Sequence, residues 1–451
     1  MSQPQPRPPL AWTLHGVGVL VLAAWAAEAF FSQSPRHAGL SVLWIVQGIG
    51  WAALAWAAWI PMDFPGVRRI FMGWAVAFRI AASFTHPVME NDYARHLWDG
   101  WRLLSSGNPY DRAPVSFYRD ASVPEDLQEV LTEVNSPDIP TIYGPVLQGW
   151  SALAAAVHAG HLWPFKALLI TADLLVLLIL AREPGSRAAL LYGWCPLVIH
   201  ETAANAHAEV LAVLPFLLAW RDARAGREVR GAAWMGLAVA TKLTALVAIP
   251  FLLAGRNPRA WGALILAVAL PYLPFWLQGS FADWPGLQRF LNEWEFNSSL
   301  VGLLEWVSTP AAARAVAGGV GVTALAFLWW RWRGVPIGSK RLDWVFGIQI
   351  TASAVANPWY LLWIAPFAAI TPSLTAWVAL GVVSLSYATA LNLGLPGTEP
   401  FTHPAWVRPI EYGVILMALG MDLIHHRISR GTHSGIRPLG ESGSGPALQP
   451  D

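Results

Sequence analysis

Six stretches of this chain, residues 10–31, 38–60, 261–277, 311–330, 374–395 and 407–424, are almost continuously apolar. Each comes close to the roughly 20 residues a helix needs to cross the hydrocarbon core of a bilayer. Backbone groups in lipid have no water to bond to, so such segments must close their hydrogen bonds as helix. Composition agrees: 55% of the 451 residues are hydrophobic and 13% charged, against roughly 25% charged in an ordinary soluble domain. The expected fold is all-α, a polytopic transmembrane helical bundle of about 11 to 13 spans. The 27 tryptophans gather near segment ends, where amphipathic rings favour the membrane interface. A net charge of +1 is too small to suggest a nucleic-acid partner. The single cysteine, Cys195, rules out an internal disulfide framework and a cysteine-built zinc site.

Orientation follows from the basic residues, which favour the cytoplasmic side. The densest groups are Arg68 and Arg69; Arg221, Arg224, Arg227 and Arg230; Arg331, Arg333, Lys340 and Arg341; and Arg427 and Arg430. Placing all four groups inside puts a large loop, about residues 85–143, outside, with 278–296, 357–359 and 396–404 on the same side. Residues 1–9 then form a short cytoplasmic N-terminus, 10–426 one transmembrane domain, and the Gly/Ser/Pro-rich 427–451 a disordered cytoplasmic tail. Between 164 and 259 the segments look short and interrupted by polar groups, and a simple span count does not return the basic loops inside. Irregular backbone at membrane depth is tolerated where it lines a protein cavity, so this stretch points to a pocket.

Polar chemistry concentrates at 90–110, E-N-D-Y-A-R-H-L-W-D-G-W-R-L-L-S-S-G-N-P-Y. Asn91 is placed to cap a helix and Gly107 to stop it. At helical spacing Asp92, Arg95, His96 and Asp99 share one face, with Tyr93, Leu97, Trp101 and Leu104 opposite. A short helix of this kind lies along the membrane surface, its polar face toward an extracytoplasmic vestibule. A second short helix is expected at 124–134. Asp92 is the candidate general base, able to take a proton from a sugar hydroxyl; the alternative is that it caps the helix or pairs with Arg95. Arg95 and Asp99 hold the helix or touch substrate. Glu90 with Asp92 offers hard oxygens for a divalent cation such as Mg or Mn.

A second polar set, His200, Glu201, Asn205, His207 and Glu209, falls in an apolar setting. Ionisable groups there default to function, though an interhelical hydrogen-bonded cluster is the other reading. Lys242, nearly alone in A-T-K-L-T-A-L-V-A-I-P, needs an anion: a phosphate, or Glu209. Asn297 follows the acidic, aromatic run E-W-E-F and suits either a carbohydrate rim or a helix start. Trp359, Tyr360 and Trp363 place aromatic faces at the outer surface, for a sugar, an isoprenoid or an interface belt.

In this order the motifs E-N-D-Y-A-R-H-L-W-D-G with S-G-N-P-Y, T-I-Y-G-P-V-L-Q, H-E-T-A-A-N-A-H-A-E, A-T-K-L-T-A-L-V-A-I-P, N-S-S-L and N-P-W-Y-L-L-W resemble the GT-C superfamily of membrane glycosyltransferases. The nearest likeness is to polyprenyl-phosphate-mannose-dependent mannosyltransferases, over about residues 79–370. The resemblance implies a polyprenyl-phosphate sugar as donor, mannose first among the sugars, and a glycan or lipid acceptor at the membrane. It implies a multi-pass protein of a bacterial inner membrane with an extracytoplasmic active site. Asp92 matches the acid of a modified D-x-D motif. Tyr143 and Pro145 match a Tyr-Pro-Pro-like element from which Gly144 departs. Asn205 and Glu209 match the second motif, and Lys242 its lysine. Such families are usually inverting. The rivals are a transporter or flippase of lipid-linked sugars, a transferase of another sugar such as arabinofuranose or glucose, and a non-catalytic homologue.

Overall fold

The computed structural model describes residues 8–32, 36–62, 66–87, 90–183, 187–253, 255, 257–280, 284–391 and 401–434. The expectations for residues 1–7, for 435–451 and for most of the outer loop 396–404 lie outside these. Apolar patterning becomes helix throughout, and among the described residues the one piece of β pairing is an isolated bridge between Phe296 and Val355. The first part of the chain forms α1 (Pro8–Phe31), α2 (Arg36–Ala57), α3 (Val67–Ser83), α4 (Asp92–Ser106), α5 (Glu125–Glu133), α6 (Pro145–His158) and α7 (Leu162–Leu180). The middle comprises α8 (Ala188–Gly193), α9 (Pro196–Ile199), a π turn (His200–Ala204), α10 (Glu209–Arg224), α11 (Glu228–Thr241), α12 (Ile249–Leu253) and α13 (Pro258–Leu277). The last part comprises α14 (Trp284–Glu293), α15 (Leu300–Glu305), α16 (Pro310–Arg331), α17 (Leu342–Ala352), α18 (Ala365–Ile370), α19 (Leu374–Val382) and α20 (Val407–Ser434).

Among the described residues six helices are long and apolar enough to cross a membrane: Leu10–Phe31, Gly39–Ala57, Leu162–Leu180, Pro258–Leu277, Pro310–Arg331 and Leu374–Leu391. The all-α polytopic architecture is therefore as expected, but these six stand against the about 11 to 13 spans expected. Residues 407–424 are not among them, and the course differs in two further places. Leu162–Leu180 is one continuous helix, although it falls in the stretch read as broken. The charges in it are neutralised within the protein: Lys166 donates to the carbonyls of Ser83 and Thr85, while Asp173 accepts from Arg79 and Tyr192. A charge held this way no longer interrupts a span. At the other end, α20 continues past Arg427 to Ser434, beyond the expected start of a disordered tail.

The interruptions at 200–209 and 241–242 are real. The π turn is followed by Ala206 at a positive φ of 61°, a conformation rare outside glycine. Helix α11 stops at Thr241, Lys242 is extended, and a 3-10 turn covers Leu243–Ala248. Tryptophans divide into two groups. Trp12, Trp59 and Trp306 are exposed, as an interface belt requires. Trp25, Trp98, Trp220 and Trp363 are fully buried and act as core.

Candidate active site

Helix α4 sets the first wall of the site. Asn91 occupies its N-cap position but makes no side-chain cap. Its amide instead donates to the carbonyl of Glu133 at 2.7 Å, one of the orphan acceptors that end α5. Gly107 stops α4 with φ at 76°, as its sequence position predicts. The polar face does not open wholly onto a vestibule: Arg95, His96 and Asp99 are buried. The cause is α6, which packs so closely that a Cβ at Gly100 would lie 2.3 Å from the Ser151 carbonyl oxygen. Gln148 on α6 donates to Asp99 at 3.1 Å. Burial pushes the Asp99 carboxyl upward, against the pull of Arg95 and its hydrogen bonds. Asp99 is thus a packing residue of the α4–α6 contact and does not reach the cavity.

Asp92 and Arg95 do reach it. A cavity of about 180 Å³ opens between the 135–144 segment, the break at Thr241–Lys242, α14 and the 357–360 turn. Asn135 donates to Asp92 Oδ1 at 3.3 Å. Arg95 donates to the carbonyls of Asn135 and Ser136, each at 2.8 Å, and of Ile139 at 3.1 Å, and so fastens the loop that carries Asn135 against α4. Opposite stand Lys242, Tyr143 and Tyr360, with the ammonium 5.7 and 5.6 Å from the two ring centroids, within cation–π range. Burial, and next the Asp92 carboxylate, hold the Tyr143 phenol well above its usual range, and both residues line the cavity. Lys242 is ion-paired with Glu209, one of the two anions its sequence context left open.

The remaining candidates form the layer behind the cavity. His207 stacks on Trp359 at 3.7 Å between centroids, and Trp359 lines the cavity. Glu201 anchors this layer: His207 Nδ1 lies 2.8 Å and His200 Nδ1 3.2 Å from its carboxylate, and Tyr387 donates to it at 2.7 Å. Asn205 donates to the Tyr387 hydroxyl at 3.1 Å. The set at 200–209 is therefore an interhelical cluster, and Asn205, His207 and Glu209 support the cavity without lining it. Trp359 and Trp363 are buried, so the expected outer aromatic belt is instead cavity wall and core. Asn297 lies elsewhere, donating to Glu411 at 2.9 Å, and is not among the lining residues.

Sequence reasoning missed Asn135, Thr241, Tyr272, Asn357, the α14 residues Leu287 and Phe290, and Trp294 just past that helix, all of which line the cavity. The turn N-S-P-D at 135–138 carried a usable signal, because such residues order loops through side-chain hydrogen bonds. The α14 residues had none, since an amphipathic helix shows its apolar face without saying what it covers.

Residues 142–350 match glycosyltransferase family 87. The chain is also 24% identical over 398 residues to Alpha-(1->6)-mannopyranosyltransferase A of Mycobacterium tuberculosis, covering 76% of this chain and 73% of that protein. Both likenesses are to glycosyltransferases, and the chain is similar to membrane enzymes of that kind. No solved structure matches it. The family match begins after the helix that carries Asp92 and includes Tyr143, Glu209 and Lys242, so Asp92 rests on its place in the cavity.

The metal expectation has a weaker footing. Among the described residues no group of three or more His, Cys, Asp or Glu side chains is set to hold an ion. Burial, then the charges of Asp92 and Glu201, push the Glu90 carboxyl well above its usual range. Glu90 and Asp92 offer two carboxylates, and no step below depends on a divalent cation.

Proposed function

We propose that this protein is a membrane glycosyltransferase that moves a sugar, mannose in the first instance, from a polyprenyl-phosphate donor to an acceptor hydroxyl on the extracytoplasmic side. One observation carries the reading: Asp92 and Lys242 line the same cavity, between an outer loop and the interrupted membrane segments. The Asp92 carboxylate takes the acceptor's hydroxyl proton as that oxygen attacks the anomeric carbon. The bond from the anomeric carbon to phosphate oxygen breaks, and the polyprenyl phosphate leaves with the electron pair. Phosphate is a competent leaving group without protonation, so one base suffices, unlike the carboxylate pair of a glycoside hydrolase. Lys242, held by Glu209, faces the charge that develops on the departing phosphate. Attack from the face opposite the phosphate inverts the centre, and a β-linked donor then yields an α-glycoside. Trp359, Tyr360 and Tyr143 supply aromatic walls for a sugar ring.

The rival is a transporter of lipid-linked sugars, which the helix break at Lys242 would also suit. Membranes containing the protein are supplied with polyprenyl phosphates carrying labelled mannose, arabinofuranose or glucose. The reading expects label from the mannosyl donor to appear in a glycosidic product. Movement of intact donor across the bilayer without any product favours the transporter. Transfer from one of the other donors alone replaces mannose but keeps the mechanism.

A further inference from the structure

A second cavity, of about 460 Å³, lies between α6, α7, α10 and α11. Its walls are apolar, including Trp150, Leu178, Leu214 and Trp234, and two arginines, Arg182 and Arg221, also line it. Arg182 follows the end of α7, and Arg221 sits in the last turn of α10. Glu183 and Arg224 join those two helix ends through paired hydrogen bonds of 2.8 Å, so both arginines mark the same end. That end is cytoplasmic: Lys166, near the start of α7, contacts the outer end of α3, and the basic cluster 221–230 lies at the other end. The lining positions run from Leu211 to Arg221 along α10, a groove on the order of 15 Å long at helical rise.

The charges at this end are sorted. Glu183 takes Arg224, and Asp222 takes Arg227 and Arg230. Arg182 and Arg221 have no acidic partner among the described residues, and Arg221 Nε is buried without a hydrogen bond. Two guanidinium groups without an acidic partner, Arg182 and Arg221, thus line the groove. A guanidinium presents a planar fork suited to phosphate oxygens, and basic pockets between spans on the cytoplasmic side suit anionic headgroups. We propose that this groove binds an anionic phospholipid of the cytoplasmic leaflet, its phosphate on Arg182 and Arg221 and an acyl chain between α7, α10 and α11. A polyprenyl-phosphate donor fits less well here. Its phosphate belongs beside Lys242, at the far end of α11, which would leave both arginines unmatched.

The test is lipid retention by the full-length protein, measured by native mass spectrometry after equilibration with equal phosphatidylglycerol and phosphatidylcholine. The wild-type protein is expected to retain phosphatidylglycerol over phosphatidylcholine by about tenfold. The Arg182→Ala/Arg221→Ala variant is expected to lose that preference, and Leu214→Trp, which fills the groove, to lose the bound lipid. Should the alanine pair not fold, Arg182→Lys/Arg221→Lys keeps the charge without the fork and is expected to show a reduced preference. Equal retention of both lipids by wild type, an undiminished preference in the arginine variants, or displacement of phosphatidylglycerol by an equal concentration of polyprenyl phosphate overturns the proposal.

Discussion

Lys242 and Glu209 form one pair on which both stability and the proposed chemistry depend. Glu209 is almost fully buried and Lys242 largely so, and removing one partner of such a pair costs about 3–5 kcal/mol because the other charge is stranded. Lys242→Ala should therefore lower thermal stability as well as transfer. Lys242→Ala/Glu209→Gln should recover most of the stability and none of the transfer; recovery of both would reduce the lysine to a structural role. Glu90 makes a separate prediction from pH. Its folded-state pKa is raised, so its contribution is present at low pH and is lost as pH rises through that elevated value. Melting temperature followed from about pH 5 to about pH 9 should fall more steeply for wild type than for Glu90→Gln; parallel curves would contradict the assignment. Gly144, the departure from the Tyr-Pro-Pro-like element, has a spatial reason. A Cβ there would lie 2.1 Å from the Ala240 carbonyl oxygen, although its φ of −68° would suit proline. Gly144→Pro should displace α11 at the Lys242 break and reduce both stability and transfer, by thermal melt and product assay.

Helix α4 is where local sequence spoke most clearly. Its glycine stop, its amphipathic spacing and its neighbour α5 were all legible, because these depend on residues near in sequence. What covers its polar face was not legible, because α6 arrives from more than forty residues away and is admitted by Gly100. Gly100→Ala should push α4 off α6 and cost stability and activity together, by about 1–3 kcal/mol in a melt as overpacked contacts do. The same distance effect hid the α7 span: Lys166 and Asp173 look like interruptions until α3 supplies their partners. The π turn at 200–204 was legible only as an irregularity, since the polar residues there bond across helices, to Tyr387 and Glu28.

At the scale of the whole molecule, the apolar runs were enough for an all-α polytopic protein. The site needed more, because residues 92, 135, 242 and 357–360 meet only after the helices between them have packed. Helix α14 spans the outer side of that meeting point, with Leu287, Phe290 and, just past the helix, Trp294 among the lining residues and Arg289 paired to Asp138 of the first loop. The central claim is that Asp92 is the base in this cavity. It is tested most directly by single-turnover transfer from labelled polyprenyl-phosphate mannose in membranes, comparing wild type with Asp92→Asn at matched expression and melting temperature. The expected result is a loss on the order of 10²–10⁴-fold in the transfer rate with donor binding retained. Transfer by Asp92→Asn at the wild-type rate would contradict it.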